Sequence, residues 1–579
     1  MKWLREVIVA VAIGLIVFLI SLPFATVGVD AHHDGVMLKP ASDVARGAVL
    51  HRETFTQYGP ATTLVQAGLL KVFGFELRVL RYAAVGCYGL TVVFLCLFWR
   101  YFLPWNLVLV SVCWLACAAY YFRPYWVLEP WSSGMALCAQ SLALLLLSIA
   151  CRCSSNPAKY GLLFFAGAVV SLVFWFRQPV GAMMSVAAVS VPVSIRLQEQ
   201  RELTERVRLI NLLFRNVFLW AYVLGGILVA LGFLFWLWRN TALDAWYLQN
   251  VVWPRKFAQG LLSAGAVYRC FGTSQVIVPL LALLTGVICC KLIGQPSPNW
   301  RACMIAVMCF AWWGACFAMP GLLMVPVFDK LIPIGSMILM IRWLVHSPLN
   351  YRGLLLPVSL GISAMSSWAQ FFPVPCLRHL FWGVCPIVGV FIYLVWRQST
   401  LGAVPVSVIL CAFVLPLGVD RFVEARTHLA IAASPHTVAG PMYGMRPYRD
   451  ECRQPQKSGY EADFRGFEAA REAIGAGGNK LPVILYGVDA MWCLISECRE
   501  NASAVYVSWS DLQEFGIFDE RERAIRGKRE FLVVVQENFV PGGKMEILEE
   551  NDFYQLWRGE AFGGAVRIYL RASGMRNSQ

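Results

Sequence analysis

The sequence predicts an α-helical polytopic membrane protein of about 13 transmembrane helices, followed by a small C-terminal α/β soluble domain. The mean hydropathy of the 579 residues is +0.59 and only 15% of them are charged, whereas a soluble protein carries roughly 25% charged residues. Apolar runs recur that reach the roughly 20 residues a helix needs to cross a bilayer. They are continuously apolar and do not alternate, which favours helices over a β-barrel.

Charge is distributed unevenly along the chain. Residues before position 420 include 29 Lys or Arg and 12 Asp or Glu, a net charge of +17, whereas the last 160 residues have 20 and 23, a net charge of −3. This difference predicts a transmembrane domain at 1–419 and a separate soluble domain at 420–579. A basic membrane domain suits anionic lipid headgroups or a phosphate-bearing substrate. We expect no nucleic-acid partner.

The first predicted span runs from about Val7 to Val27. It resembles a signal peptide, but further spans follow, so we expect an uncleaved first helix. The other predicted spans centre near residues 90, 112, 142, 168, 188, 227, 283, 310, 338, 360, 388 and 409. An odd number of spans places the termini on opposite sides, and the distribution of Lys and Arg weakly favours a cytoplasmic N-terminus. The C-terminal domain is then expected to be extracytoplasmic.

The C-terminal part has the pattern of a small sheet layered with helices. Residues 464–474 have helical spacing, and 482–486, 530–535 and 566–570 are short apolar segments typical of buried strands. Cys452, Cys493 and Cys498 allow at most one disulfide, whose pairing the sequence leaves open.

The first outside loop, residues 28–78, collects polar groups that the rest of the membrane part avoids. Four of the twelve acidic residues before position 420 lie within it at 30–53. Asp34 precedes Gly35, which is typical of a tight turn. A carboxylate at the membrane boundary is partly desolvated, which makes it a stronger base for deprotonating a hydroxyl. Asp34, with Asp30 as competitor, is therefore the candidate general base.

Two other interpretations of this loop remain open. In one, Asp30 caps a helix or turn and Asp34 pairs with Lys39 or Arg46. In the other, Asp34 and His33, with the preceding histidine, bind a divalent metal ion. Adjacent histidines rarely both reach one ion, so no metal is assigned, and the sequence indicates no other cofactor.

Three further outer segments combine aromatic rings with polar side chains. They contain Glu129 between tryptophans, Arg177-Gln178 at the end of a span, and Arg378-His379 at the start of another. Such residues usually form an interfacial belt or extend to lipid headgroups. They can equally bind a sugar or clamp a phosphate, for which Arg offers a bidentate fork. Gln57-Tyr58-Gly59-Pro60 precedes a moderately apolar segment, 61–73, which predicts a helix at the membrane surface.

Together these segments resemble the GT-C superfamily of membrane glycosyltransferases, which includes protein mannosyltransferases and aminoarabinose transferases. The resemblance is carried by Asp30-Ala-His-His-Asp34-Gly35, Gly47, Gln57-Tyr58-Gly59-Pro60, Phe73-Gly74, Phe176-Arg177-Gln178 and the segment from Gln370 to Leu380. It implies a polyprenyl-phosphate-linked or polyprenyl-diphosphate-linked sugar donor and transfer on the outer face of the inner (plasma) membrane. A cell-envelope glycan, a lipid or a protein would be the acceptor.

The resemblance also implies roles for individual residues. Asp34, or with less support Asp30, would be the catalytic base, and Arg177, Arg378 and His379 would neutralise the donor phosphate. The remaining candidate substrate-binding residues are His33, Lys39, Gln57, Tyr58, Glu129 and Gln178. Two alternatives compete with the transferase. A flippase for lipid-linked saccharides predicts charged or broken positions in mid-span, and a surface-polysaccharide polymerase or ligase predicts a large outside loop between late spans.

Overall fold

A computed structural model describes most of the membrane part and pieces of the C-terminal part. The described residues are 2–28, 31–121, 128–199, 214–252, 254–255, 332–346, 351–371, 377–399, 402–433, 466, 469–470, 472–473, 483–486, 531–536, 548, 553–561 and 564–571. Within these ranges the chain is mostly helical, and its strands lie near the C-terminus.

The described helices are numbered from the N-terminus. In chain order they are α1 Lys2–Ser21, α2 Ala31–Ala45, α3 Pro60–Phe73, α4 Leu77–Trp99, α5 Trp105–Tyr121, α6 Ser132–Arg152, α7 Asn156–Phe176, α8 Gln178–Ala188, α9 Ser190–Glu199, α10 Val217–Arg239, α11 Leu243–Tyr247, α12 Ile332–His346, α13 Tyr351–Met365, α14 Leu377–Gln398 and α15 Ala403–Ala432. A 3-10 turn, Leu22–Thr26, extends α1, a second, Ser366–Phe371, follows α13, and a π-helical turn, Leu248–Val252, follows α11.

Seven segments of the described chain are long and apolar enough to cross a membrane. They are Trp3–Thr26, Leu77–Trp99, Ser132–Arg152, Asn156–Phe176, Gln178–Glu199, Val217–Arg239 and Phe381–Gln398, and α5, α12 and α15 contain shorter apolar stretches. The predicted span centres near 283 and 310 lie outside the described residues, and every other centre falls within a helix. The helical polytopic membrane fold is confirmed, and the number thirteen stays a prediction.

The segment after the first span is a helix, so the expected tight turn at Asp34-Gly35 is wrong. Helix α2 begins at Ala31 and carries Asp34 in its first turn, where a carboxylate interacts favourably with the helix dipole. Positions 34–42 are all buried. A buried backbone must satisfy its own hydrogen bonds, which favours a helix and outweighs the turn tendency of glycine.

The expected helix after Gly59-Pro60 is confirmed. Gly59 is its N-cap, Pro60 occupies the first turn and the helix ends at Phe73 before Gly74. Its position at a membrane surface stays a prediction.

Helices α7 and α10 approach each other closely because glycines lie at their contact. A Cβ atom on Gly167 would lie 1.8 Å from the carbonyl oxygen of Tyr222, and one on Gly225 would lie 1.9 Å from that of Phe164. Small residues of this kind let membrane helices pack backbone against backbone. This contact anchors α7, whose end forms part of the candidate site described below.

The C-terminal strands form one four-stranded sheet. They are β1 Val483–Tyr486, β2 Phe531–Gln536, β3 Tyr554–Ala561 and β4 Gly564–Arg571, in the order β1-β2-β4-β3. Strands β1 and β2 are parallel, and the other two pairs are antiparallel. All three predicted strands are present. Strand β3 was not predicted because its polar residues give no continuous apolar run.

Other features of the C-terminal part are described only in places. The described residues within 464–474 are helical, as predicted, whereas Cys452, Cys493 and Cys498 lie outside the described residues. Helix α15 continues through position 420, so the change in composition that suggested a domain boundary falls inside a helix. The division at 419/420 stays a prediction.

The glycine contact between α7 and α10 can be tested within one helix. Gly225→Ala places a methyl group against the Phe164 carbonyl, so we expect a lower thermal unfolding temperature in detergent. Gly232→Ala on the same helix is the control, because nothing lies within 4 Å of its added Cβ. An exposed Gly→Ala change in a helix is neutral or stabilising by up to about 1 kcal/mol. Equal unfolding temperatures for the two variants would contradict the close contact.

Candidate functional site

A fully buried ion pair joins α2 to α4. Arg81 Nε donates to Asp34 Oδ1 at 3.0 Å and Arg81 Nη2 to Asp34 Oδ2 at 2.5 Å, and both side chains are 0% exposed. The bidentate geometry is the strong form of this interaction. The simpler interpretation expected Lys39 or Arg46 to pair with Asp34, and the structure shows Arg81 in that role. Lys39 instead pairs with Asp43, which also accepts a hydrogen bond from Thr54.

An aromatic cluster lies beside the start of α14. The Trp131 ring centroid is 5.5 Å from that of His379, 5.4 Å from that of Trp382 and 6.4 Å from that of Tyr58. His379 is buried between the two indoles. Three predicted outer segments therefore meet here, one contributing Tyr58, one Trp131 and one His379. Glu129, two residues before Trp131, is also buried.

A narrow crevice lies beside this cluster, between α4, α6 and Trp382. Its volume of about 10 Å³ has room for no more than a water molecule. Its walls are mainly apolar and aromatic, and include Tyr88 and Thr91 from α4, Trp131, and Met135 from α6. Arg81 precedes Tyr88 by two helical turns on α4. A sugar or a lipid could enter this crevice only if α4, α6 and α14 moved apart, because small-molecule sites are far larger.

Arg177 is the single residue between α7 and α8, which belong to two successive candidate membrane spans. It ends α7 and precedes α8 with an extended backbone, φ −149° and ψ 103°, and its side chain is 7% exposed. A Cβ on Gly59 would lie 1.9 Å from the Trp175 carbonyl oxygen, and Thr62 donates to the Phe176 carbonyl at 3.5 Å. The turn before α3 is therefore held against the segment that carries Arg177.

The other candidates have definite positions or lie outside the described residues. Gln57 is exposed and donates to the Tyr58 hydroxyl at 3.1 Å, and Gln178 is half-buried and donates to Asn250 Oδ1 at 2.6 Å. Asp30 lies outside the described residues, as do the side chains of His33 and Arg378.

The described residues contain no group of three or more His, Cys, Asp and Glu side chains arranged to hold a metal ion. Because Asp30 and the histidines before Asp34 are not among them, the metal interpretation of this loop stays a prediction.

Sequence reasoning missed a polar network below the first loop. His51 Nδ1 lies 2.8 Å from Gln249 Oε1, and Gln249 Nε2 donates to the His51 carbonyl at 2.9 Å. Asn250 accepts the bond from Gln178 described above. The available signal was weak: His51 is one of only seven histidines, but its partners are almost 200 positions away. Arg81 was missed as the partner of Asp34 because these two residues are also far apart in the sequence, by 47 positions.

Removing Arg81 should destabilise the protein strongly. Arg81→Met leaves the Asp34 carboxylate buried without its cation, which typically costs about 3–5 kcal/mol. Thermal unfolding in detergent should show a large drop, whereas Arg78→Met should cost less than about 1 kcal/mol, because Arg78 and its partner Glu76 are partly exposed. Similar losses of thermal stability in both variants would show that the buried ion pair contributes no more than the partly exposed one.

Burial of His51 should make stability depend on pH. Desolvation lowers the pKa of His51 to about 4, although the hydrogen bond that His51 makes to Gln249 acts in the opposite direction. The unfolded chain takes up this proton near pH 6.5 and the folded chain only near pH 4, so acidification through this window favours unfolding by up to about 1.4 kcal/mol per pH unit. The unfolding temperature should fall from pH 6.5 to 4, and less so in His51→Asn. An identical pH slope in that variant would refute the assignment.

Comparisons with known proteins show a likeness in structure alone. No protein-family model matches the chain, and no curated protein sequence matches it. The crystal structure of ArnT from Cupriavidus metallidurans bound to undecaprenyl phosphate aligns with a TM-score of 0.53 and 12% identity, over 99% of both chains. The apo structure of the same protein aligns with a TM-score of 0.45 and 11% identity, over 98% of both chains. Over essentially its whole length, the chain therefore has the same fold as the ArnT structure bound to undecaprenyl phosphate.

Proposed function

We propose that this protein is a membrane glycosyltransferase that uses a polyprenyl-phosphate-linked sugar donor. The observation that carries the proposal is the ArnT-like fold along 99% of the chain, which fits an enzyme of this kind. The relative in that comparison binds undecaprenyl phosphate. The acceptor is a glycan, lipid or protein of the cell envelope.

The candidate site has the polarity that such a donor requires. A polyprenyl phosphate has a long apolar tail and an anionic head, so its site needs apolar walls beside a cation. Arg177 supplies a buried guanidinium at the start of α8, where the helix dipole also favours an anion. His379 adds an imidazole within the aromatic cluster, and Trp131 and Tyr58 offer faces against which a sugar ring can stack.

Several buried polar atoms in this region have no hydrogen-bond partner among the described residues. They include both amide atoms of Gln370 and the hydroxyls of Ser132 and Ser133. Gln370 packs against α14 at Gly383, one turn beyond His379. Buried polar groups are nearly always hydrogen-bonded to protein, water or ligand. A bound sugar, or water in its absence, would supply partners.

The proposed reaction is an inverting transfer. The acceptor hydroxyl oxygen attacks the anomeric carbon, the bond from that carbon to the phosphate oxygen breaks, and polyprenyl phosphate leaves with the bonding electrons. A carboxylate takes the hydroxyl proton, and Asp34 and Asp30 are the candidates. Arg177, His379 and Arg378 balance the charge of the departing phosphate, so the protein contributes mainly by positioning and electrostatic stabilisation.

This reaction implies an orientation in the membrane. The donor site, the aromatic cluster and the C-terminal domain from residue 420 face outward across the inner membrane, and the N-terminus is cytoplasmic. Gln57, Tyr58, Glu129 and Gln178 line the substrate path, whereas Lys39 acts through Asp43.

A flippase for lipid-linked saccharides is the second candidate. The buried Asp34–Arg81 pair favours it, because ionisable groups inside membrane proteins often mark a transport path. The pair lies near the beginning of α4, at position 81 of a helix that starts at 77. An end-of-helix position fits a structural or surface role better than a path through the bilayer.

Donor cleavage distinguishes the candidates. Membranes with matched protein levels are given a panel of labelled polyprenyl-linked sugars and an envelope extract, and release of polyprenyl phosphate is measured. We expect release by the wild type and a loss of at least about tenfold, or ~1.4 kcal/mol of transition-state stabilisation, in Arg177→Gln. The control Arg239→Gln changes an exposed arginine at the end of α10. Labelled lipid that crosses the bilayer without being cleaved would support the flippase and refute the transferase.

The role of Asp34 requires a charge-balanced variant. Asp34→Asn alone leaves Arg81 buried without its anion, so a loss of activity would not separate catalysis from folding. Asp34→Asn combined with Arg81→Gln replaces the ion pair by two amides. A folded double variant without donor cleavage would support Asp34 as the base. Retained cleavage would exclude Asp34 and leave Asp30.

A further inference from the structure

His51 is tied to the π-helical turn 248–252 by its side chain and its backbone. Its Nδ1 atom lies 2.8 Å from Gln249 Oε1, and Gln249 Nε2 donates to the His51 carbonyl at 2.9 Å. The amide N–H of Thr56 also points to Gln249 Oε1, at 3.4 Å. Gln249 Oε1 is therefore an acceptor, so His51 Nδ1 carries the proton and donates it.

The next residue of the turn connects this arrangement to the helix break at Arg177. Asn250 Oδ1 accepts a hydrogen bond from Gln178 Nε2 at 2.6 Å, and Asn250 Nδ2 donates to the Thr56 carbonyl at 3.4 Å. Gln178 is the first residue of α8 and follows Arg177 directly. A continuous chain of contacts thus runs from His51 through Gln249 and Asn250 to Gln178.

Two residues near this chain of contacts have an unusual backbone conformation. His51 has φ +68° and Thr241 has φ +51°, and they are the non-glycine residues with positive φ among the described positions. Arg52, next to His51, donates to the Asn240 carbonyl at 3.2 Å and to the Thr241 hydroxyl at 3.0 Å. Two strained positions therefore face each other across one interface. Such strain persists where the surroundings over-determine it, often near functional sites.

We propose that His51 is a positioning residue for the donor-phosphate site, which holds Gln178, and with it the start of α8 beside Arg177, through Gln249 and Asn250. The inference rests on the proposed transferase function. His51 need not touch the substrate. Its neutral imidazole fixes the turn that carries Asn250, and its left-handed backbone directs the first loop toward that turn. Glutamine at this position would place its N–H group in the wrong geometry for the hydrogen bond, and alanine would remove the N–H group altogether.

Asparagine is the matched replacement. Its side-chain amide N–H can occupy the place of Nδ1–H, and asparagine tolerates positive φ better than most residues. Glutamine carries its amide one carbon further, near the place of Nε2, and does not share this backbone tolerance. If His51 acts through Nδ1 and its backbone, His51→Asn should keep the function that His51→Gln and His51→Ala lose.

The experiment measures donor cleavage kinetics of the wild type, His51→Ala, His51→Gln and His51→Asn in the full-length protein. We expect His51→Ala and His51→Gln to raise the KM for the lipid-linked donor about tenfold with kcat changed much less, and His51→Asn to remain within about twofold of the wild type. His51→Ala combined with Gln178→Ala should raise KM no more than Gln178→Ala alone, because both act through one chain of contacts.

Hydrogen exchange provides a readout independent of turnover. Amides of residues 248–252 should exchange faster in His51→Ala than in the wild type and His51→Asn. An unchanged KM in a folded His51→Ala, or additive effects with Gln178→Ala, would overturn the positioning role while leaving the transferase intact. Absence of donor cleavage by the wild type would overturn the transferase, and the positioning role with it.

Discussion

The ion pair between Asp34 and Arg81 determines how the first loop meets the membrane helices. A charged side chain in a water-free position is costly unless an opposite charge satisfies it. Asp34 is buried in the first turn of α2 because Arg81 approaches from α4 and donates to it from Nε and Nη2. The burial of positions 34–42 then follows, and α3 packs beside both α2 and α4. The loop becomes part of the protein core.

A second constraint brings the outer segments together. The absence of a side chain at Gly59 lets the turn before α3 lie against the Trp175 carbonyl. The helix break at Arg177 is thereby held next to the first loop, and the π-helical turn contacts the same loop from the other side through His51. Backbone groups freed by a break need partners in a membrane protein. The Phe176 carbonyl at the break accepts a hydrogen bond from the Thr62 hydroxyl, which meets that need.

The sequence predicted what depends on composition and local pattern. Continuous apolar runs located the helices, and Gly59-Pro60 located the start of α3, because both signals are local. The turn at Gly35 was predicted wrongly because burial against α4 decides that segment, and burial is a tertiary property. Strand β3 was missed because an edge strand with Arg558 and Glu560 shows no apolar run. The motifs containing Tyr58, Arg177 and His379 were found, but their convergence required the fold.

The partners that sequence reasoning could not supply share one physical feature. Arg81 lies 47 positions from Asp34, and Gln249 lies 198 positions from His51. Pairings at such separations leave no trace in hydropathy or periodicity, because both signals compare residues that are close in the sequence. A polar residue in a membrane segment is expensive unless it is satisfied. Its presence therefore predicts that a partner exists but does not say which residue it is.

The geometry of Asp34 restricts what its carboxylate can do. Both oxygens accept hydrogen bonds from one guanidinium and the carboxylate is 0% exposed, so an acceptor hydroxyl reaches it only when the surrounding packing opens. Proton transfer to Asp34 would also remove the charge that pairs with Arg81, which costs part of a strong bidentate interaction at the moment of reaction. In the conformation described here, Asp34 contributes by holding α2 against α4. Catalysis by Asp34 would require a second conformation in which a ligand takes over part of Arg81.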